Sequence, residues 1–144
     1  MWWNQIVVDV IPHTDQAYDT LGDYERTSDK KGIKFRISNT GDSDYNFLIA
    51  IHELVECYLA ERHDINLDKI NTFDLWFDTA ERKEPEPGEH PDAPYRKEHN
   101  FAKSIEMLIA HELGINWYEY ENQLDEIYLK LKAVRDAKKG DSKS

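Results

Sequence analysis

Between Phe47 and Leu59 the chain is almost wholly apolar, and the strongly polar residues in that stretch are His52, Glu53 and Glu56 alone. A helix apolar over most of its circumference belongs in the middle of a fold, packed on several sides. Asn39-Thr40-Gly41-Asp42-Ser43 supplies a strand break and capping side chains just upstream, so the pattern predicts a long helix from Tyr45 to about Arg62. One imidazole and two carboxylates are not buried unpaired there, because each uncompensated polar group costs roughly 2–7 kcal/mol and a charge costs more. Other side chains, or an ion, must meet them.

Composition narrows what can do so. Cys57 is the only cysteine, which excludes an internal disulfide and any multi-thiolate zinc or iron–sulfur centre. A metal would therefore be held by imidazole and carboxylate. Acidic residues outnumber basic ones 29 to 18, for a net charge of -11, a balance that repels a phosphate backbone. The one basic cluster, Lys132 to Lys139, is interrupted by Asp136 and reads as the end of a surface helix, so no nucleic-acid partner is expected. The N-terminal MWWNQIVVDVIPH has neither a basic n-region nor a small-residue cleavage site, and no apolar run is long enough to cross a bilayer. A soluble cytoplasmic protein without membrane association is expected.

The 144 residues suit one domain, placed at residues 1–138 with a disordered polar tail at 139–144. Ile6 to Val10, ending at Pro12, reads as a first strand. Ile33-Lys34-Phe35-Arg36-Ile37-Ser38 alternates strictly, the pattern of a half-buried strand. A small, mostly antiparallel N-terminal sheet followed by about four helices is expected, an α+β fold. The second helix is placed from Leu67 to about Arg82, ahead of the Pro-rich loop Lys83 to Pro91. The third starts from a cap at Asp92 and stops at Gly114. Asn116 with Glu119 caps the last helix, whose apolar seam is Tyr120, Leu124, Ile127, Leu131 and Val134. HELV at 52 and HELG at 111 sit in different neighbourhoods, so the echo is read as accidental and no repeat is expected.

His52 and Glu56 lie one helical turn apart on one face, the spacing with which a helix presents two ligands to one ion. Glu53, about a quarter turn away, can polarise a water on that ion. This is the mechanical logic of the HExxH helix of zinc metalloproteases, with Glu56 in place of the second histidine. His99 is the first choice for the third ligand, because its imidazole balances the charge of Glu56. Glu98 or Glu106 would orient an imidazole from behind. Asp74, with Asp78 one turn on, is the rival. His90 in the Pro-rich loop reads as an ordinary exposed loop histidine, with a group over the site as the alternative, while His63 and His111 read as surface residues near helix ends. Cys57 reads as a buried, inert thiol, and Trp2, Trp3, Trp76 and Trp117 as core and rim aromatics.

A strand followed at once by a HELVE helix resembles a minimal zincin, the metallopeptidase-like fold in which a small sheet backs the metal-bearing helix. The analogy attaches to His52 and Glu53. The sequence is also similar to a family of small phage and prophage proteins. The likeness runs through Tyr18-Asp19-Thr20-Leu21-Gly22-Asp23, HELVE, Phe73-Asp74, Ala93-Pro94-Tyr95, Glu98-His99, Phe101-Ala102 and Ile105-Glu106, and covers most of residues 6 to 120. It implies that the HELVE helix and the Glu98-His99 turn form one site, and a host cytoplasm as location.

Three functions fit these residues. The leading expectation is a zinc-dependent, hydrolase-like protein with His52, Glu56 and His99 on the ion and Glu53 as general base. A second takes Glu53 and Glu56 as a magnesium pair for nucleotide pyrophosphohydrolysis. A third is a non-catalytic phage protein that binds a host partner, monomeric or dimeric through the seam of the last helix, with the polar cluster serving the fold.

Overall fold

The computed structural model describes residues 3–18, 20–29, 31–79 and 86–142. Trp2, Asp19 and residues 80–85, the expected end of the second helix and the start of the Pro-rich loop, lie outside them, as do the side chains of Asp78, Leu131 and Val134.

Three strands open the chain: β1 (Gln5–Ile11), β2 (Gly22–Arg26) and β3 (Gly32–Ser38). Four helices follow: α1 (Ser43–Arg62), α2 (Leu67–Thr79), α3 (Arg96–Glu112) and α4 (Trp117–Ser142). The fold is thus α+β, with the expected order of elements. The sheet order is β1-β3-β2, with β2 antiparallel and β1 parallel to β3. The sheet is therefore mixed, because β2 occupies one edge of β3 and leaves β1 the other, in parallel register. Ile33, Phe35 and Ile37 of β3 are fully buried, each contributing roughly 1.5–3 kcal/mol by leaving water.

α1 is the central helix, against β2 and β3 on one side and α3 on the other. Its N-cap is Asp42, whose carboxylate accepts from the amides of Asp44 (2.9 Å) and Tyr45 (3.1 Å). It is not buried all round: Phe47 is 51% and Tyr58 49% exposed. The buried stripe is Leu48, Ile49, His52, Glu56, Cys57 and Ala60, so the polar residues lie on the packed face.

α3 begins three residues later than a cap at Asp92 implies. Residues 91–95 form turns, and Tyr95 is the N-cap without a side-chain bond. Pro94 accounts for this, since the residue before a proline is steered out of helical geometry. The buried stripe of α3 is Glu98, His99, Ala102, Glu106 and Ala110. Ile105 and Ile109 are half-buried, and Leu113 is exposed. The alanines let α3 lie close on α1. In α4 the seam runs through Tyr120, Leu124 and Tyr128, and the helix passes residue 138 to end at Ser142.

The turn that ends α1 is repeated at the end of α3, 50 residues on. Ile65 N bonds Ala60 O and Asp64 N bonds Glu61 O; Ile115 N bonds Ala110 O and Gly114 N bonds His111 O. Asp64 (φ 57°) and Gly114 (φ 70°) are both left-handed, as helix-terminating turns require. Asn66 and Asn116 then open α2 and α4 with their side-chain oxygens on backbone amides. The buried stripes correspond as well: Leu48, Ile49, His52, Glu56 and Ala60 against Glu98, His99, Ala102, Glu106 and Ala110. α1–α2 and α3–α4 are thus two versions of one helical hairpin. The HELV–HELG echo, offset by 59, plays no part in it.

Candidate metal centre

The facing stripes of α1 and α3 bring four of the residues singled out above into one buried group. Nε2 of His52, Nδ1 of His99 and Oε2 of Glu56 form a triangle with edges of 3.0, 3.1 and 2.7 Å. On its far side His52 Nδ1 stands 2.7 Å from Oε1 of Glu106. The other oxygen of Glu106 accepts the Tyr120 hydroxyl at 2.5 Å. Glu106 thus orients an imidazole of the cluster, as expected, and α4 holds Glu106.

Hydrogen bonds alone account for this group incompletely. Burial opposes a charge on His52, yet its contacts to Glu106 and Glu56 outweigh that and raise its pKa well above the usual imidazole range. Burial likewise opposes the Glu56 charge, but His52 and His99 hold its carboxyl down to about 2. An imidazolium at His52 would satisfy both of its carboxylates. It leaves two N–H groups converging on one oxygen, and Nε2 of His99 buried with no hydrogen-bond partner.

The alternative is an ion at the centre of the triangle. Zinc takes His and carboxylate ligands at about 2.0–2.2 Å, which spaces tetrahedral ligand atoms by about 3.3 Å, so the triangle needs to open by only a few tenths of an ångström. Glu106 on Nδ1 fixes the tautomer that leaves the His52 Nε2 lone pair facing the ion, the carboxylate–histidine arrangement common behind metal ligands. The donor set fits zinc.

A cleft opens beside the triangle, with Glu53, Asp74, Asp23 and Glu86 on its walls. No Lys or Arg is among the described residues lining it. The side chain of Glu53 lies on Gly22 of β2, where a Cβ would come within 2.5 Å of its Cδ. Burial and the nearby charge of Glu56 push the Glu53 carboxyl well above the usual range.

Two other expected site residues are placed elsewhere. Glu98 turns to His63 on α1 (2.8 Å) and orients no imidazole of the cluster, because it sits one position, about 100° of helix, from His99. Asp74 accepts from Tyr95 (2.5 Å) and Tyr18 (3.3 Å), so it forms a wall of the cleft and is not in the group of converging ligand atoms. His90 does not overhang the site. It packs among Phe73, Trp76 and Phe77. His111 is exposed and Cys57 fully buried.

Four residues escaped the sequence reading. Gly22 makes room for Glu53, and Gly88 for His99, whose Nδ1 would lie 2.3 Å from a Cβ at that position. Glu86 Oε2 stands 3.5 Å from His99 Nε2. Tyr120 was assigned to the apolar seam, although a buried tyrosine usually finds a partner for its hydroxyl. The other three lacked a local signal, since their roles arise from the approach of distant segments.

Comparison with known proteins finds no matching family model, no similar curated protein and no similar solved structure. The functional reading therefore rests on the site itself.

Proposed function

We propose that the protein is a zinc-dependent, hydrolase-like protein, with His52, Glu56 and His99 holding the ion and Glu53 acting as general base. The observation that carries the reading is the buried triangle of two imidazole nitrogens and one carboxylate oxygen, with Glu106 behind His52. Zinc bound there supplies Lewis acidity, lowering the pKa of a water to about 7. Glu53, one position along α1 and facing the same cleft, is the residue that would accept a proton there and return it to a leaving group. With zinc on Nε2 of His52, Glu106 would accept from its Nδ1–H. The acidic cleft favours neutral or cationic substrates, with peptides and amides first by analogy with the metallopeptidase helix. It disfavours the nucleotide pyrophosphohydrolase reading, because Glu56 is committed to two imidazoles and no described cation on the walls would meet a polyphosphate.

The rival is a metal-free ion-pair cluster of fold-only purpose, supported by the two carboxylates on His52. Elemental analysis of untagged protein separates them. The zinc reading expects about one equivalent or more in the wild type, retained in Glu53→Gln with loss of hydrolysis, and reduced in His52→Ala. Less than about a tenth of an equivalent after reconstitution would sink it.

A further inference from the structure

His99 has a second nitrogen that the zinc site does not use. The side chain is 4% exposed, its Nε2 has no hydrogen-bond partner, and it is aimed at Oε2 of Glu86 across 3.5 Å. That gap exceeds the roughly 2.7–3.2 Å of an N–H···O bond. It is close to the separation of about 3.3 Å between two ligands of one tetrahedral ion. Glu89 completes the group, with one ligand atom from each of Glu86, Glu89 and His99 lying within 4.8 Å of the others. Glu86 caps and Glu89 ends the 3-10 turn Pro87–Glu89, closed by Glu89 N on Glu86 O (3.2 Å), and Gly88 in that turn rests on the His99 ring.

A second cavity reaches the two carboxylates of this group from the α4 side. Its walls carry Glu86, Glu89, Glu106, Glu121 and Asp125, and among the described lining residues the one Lys or Arg is Lys103. Lys103 Nζ lies 2.7 Å from Glu89 and 3.2 Å from Glu121. In the repeated hairpin Lys103 is the counterpart of Glu53, so the cluster has a carboxylate on one side and an ammonium on the other.

We propose that His99 is a bridging ligand, and that a second divalent transition-metal ion binds at its Nε2 with Glu86 and Glu89, water from the cavity completing the shell. The second position stands on its own residues; only the bridge rests on the zinc reading. Ion binding displaces the Nε2 proton to solvent. One imidazole and two carboxylates suit zinc or manganese. The ions would be on the order of 6 Å apart, a ring plus two metal–nitrogen bonds, beyond the roughly 3.5–4 Å of paired-metal catalysis. The second ion therefore fastens the 86–89 turn against α3 instead of engaging substrate. Lys103 opposes it electrostatically.

The test is calorimetric titration of untagged, metal-free full-length protein with Zn²⁺, comparing wild type, Glu89→Gln, Lys103→Gln and His52→Ala, each checked for native helicity. The proposal expects two equivalents in the wild type and one in Glu89→Gln. In Lys103→Gln it expects two, the weaker bound about tenfold tighter because a competing charge is gone. Equal stoichiometry in wild type and Glu89→Gln overturns it. A single ion lost from His52→Ala but kept in Glu89→Gln leaves the zinc reading standing and the second site refuted. A single ion lost from Glu89→Gln but kept in His52→Ala does the reverse for the first position and refutes the bridge. No binding by the wild type overturns both.

Discussion

At the scale of single residues, two glycines set the positions of the two groups that matter most for chemistry. Glu53 rests on Gly22 and His99 on Gly88, each closer than a Cβ permits. The two contacts differ in how they can yield. The atoms above Gly22 are the far end of a flexible glutamate side chain, whereas those above Gly88 belong to a ring held 2.7 Å from Glu56. On the zinc reading, Gly22→Ala should therefore fold and bind zinc as the wild type does but move Glu53. A displacement of about 1 Å costs on the order of 100-fold in a positioned reaction, measurable as metal-dependent hydrolysis of a panel of amides and esters; undiminished turnover would remove Glu53 from the mechanism. Gly88→Ala should instead displace His99 and lower zinc occupancy, read by elemental analysis, and full occupancy would show that the turn can retreat. His52, Glu53 and Glu56 were legible in the sequence because three polar residues in an apolar helix need partners, and His99 because its charge suits them. Glu86 was not legible, since nothing near it in a Pro-rich loop says that a buried nitrogen lies opposite.

At the scale of elements, the site is a product of two hairpins of like design. Glu56 and Glu106 are counterparts at an offset of 50 residues, and both reach His52 from opposite sides, Glu56 at Nε2 and Glu106 at Nδ1. The shared features lie where the backbone demands them: Ala60 and Ala110 at the close approach, Ile65 and Ile115 after the turn, Asn66 and Asn116 at the next cap. Between these anchors the residues diverge, which is why no repeat was legible in the sequence. The turns themselves suggest a stability change. Asp64 holds a left-handed φ of 57° where the other hairpin has Gly114, and a side chain there is tolerated at a cost. Asp64→Gly should stabilise the protein by about 0.5–1 kcal/mol, seen as a higher urea midpoint at unchanged slope. A lower midpoint would mean that the Asp64 side chain stabilises the turn by more than its backbone conformation costs.

At the scale of the whole molecule, a chain of net charge -11 folds around carboxyl groups that it must bury, and stability should follow pH accordingly. Burial, and then the charge of Glu56 working against the Tyr95 hydrogen bond, push Asp74 from 3.8 to about 7. Its contribution is fully present below the unfolded value and is lost as pH rises through the folded one, because the native state keeps a proton that the unfolded chain has released. Metal-free protein should therefore lose stability between about pH 5 and 7, with a slope from this group of at most ~1.4 kcal/mol per unit. Asp74→Asn, which retains an acceptor for Tyr95, should flatten the slope in urea melts run with chelator; an unchanged slope would assign the loss to other groups. The α+β class, the central helix, the caps at Asp42 and Asn116 and the pairing of HELVE with His99 follow from sequence alone, because periodicity, capping and the cost of burying polar groups are local or compositional. Only the tertiary structure decided that β1 runs parallel to β3, that Glu98 serves His63 while Glu106 serves His52, and that Asp74 lines the cleft outside the ligand triangle. Those outcomes depend on how far two helices rotate and approach when their alanines meet, a distance that no neighbouring residue encodes.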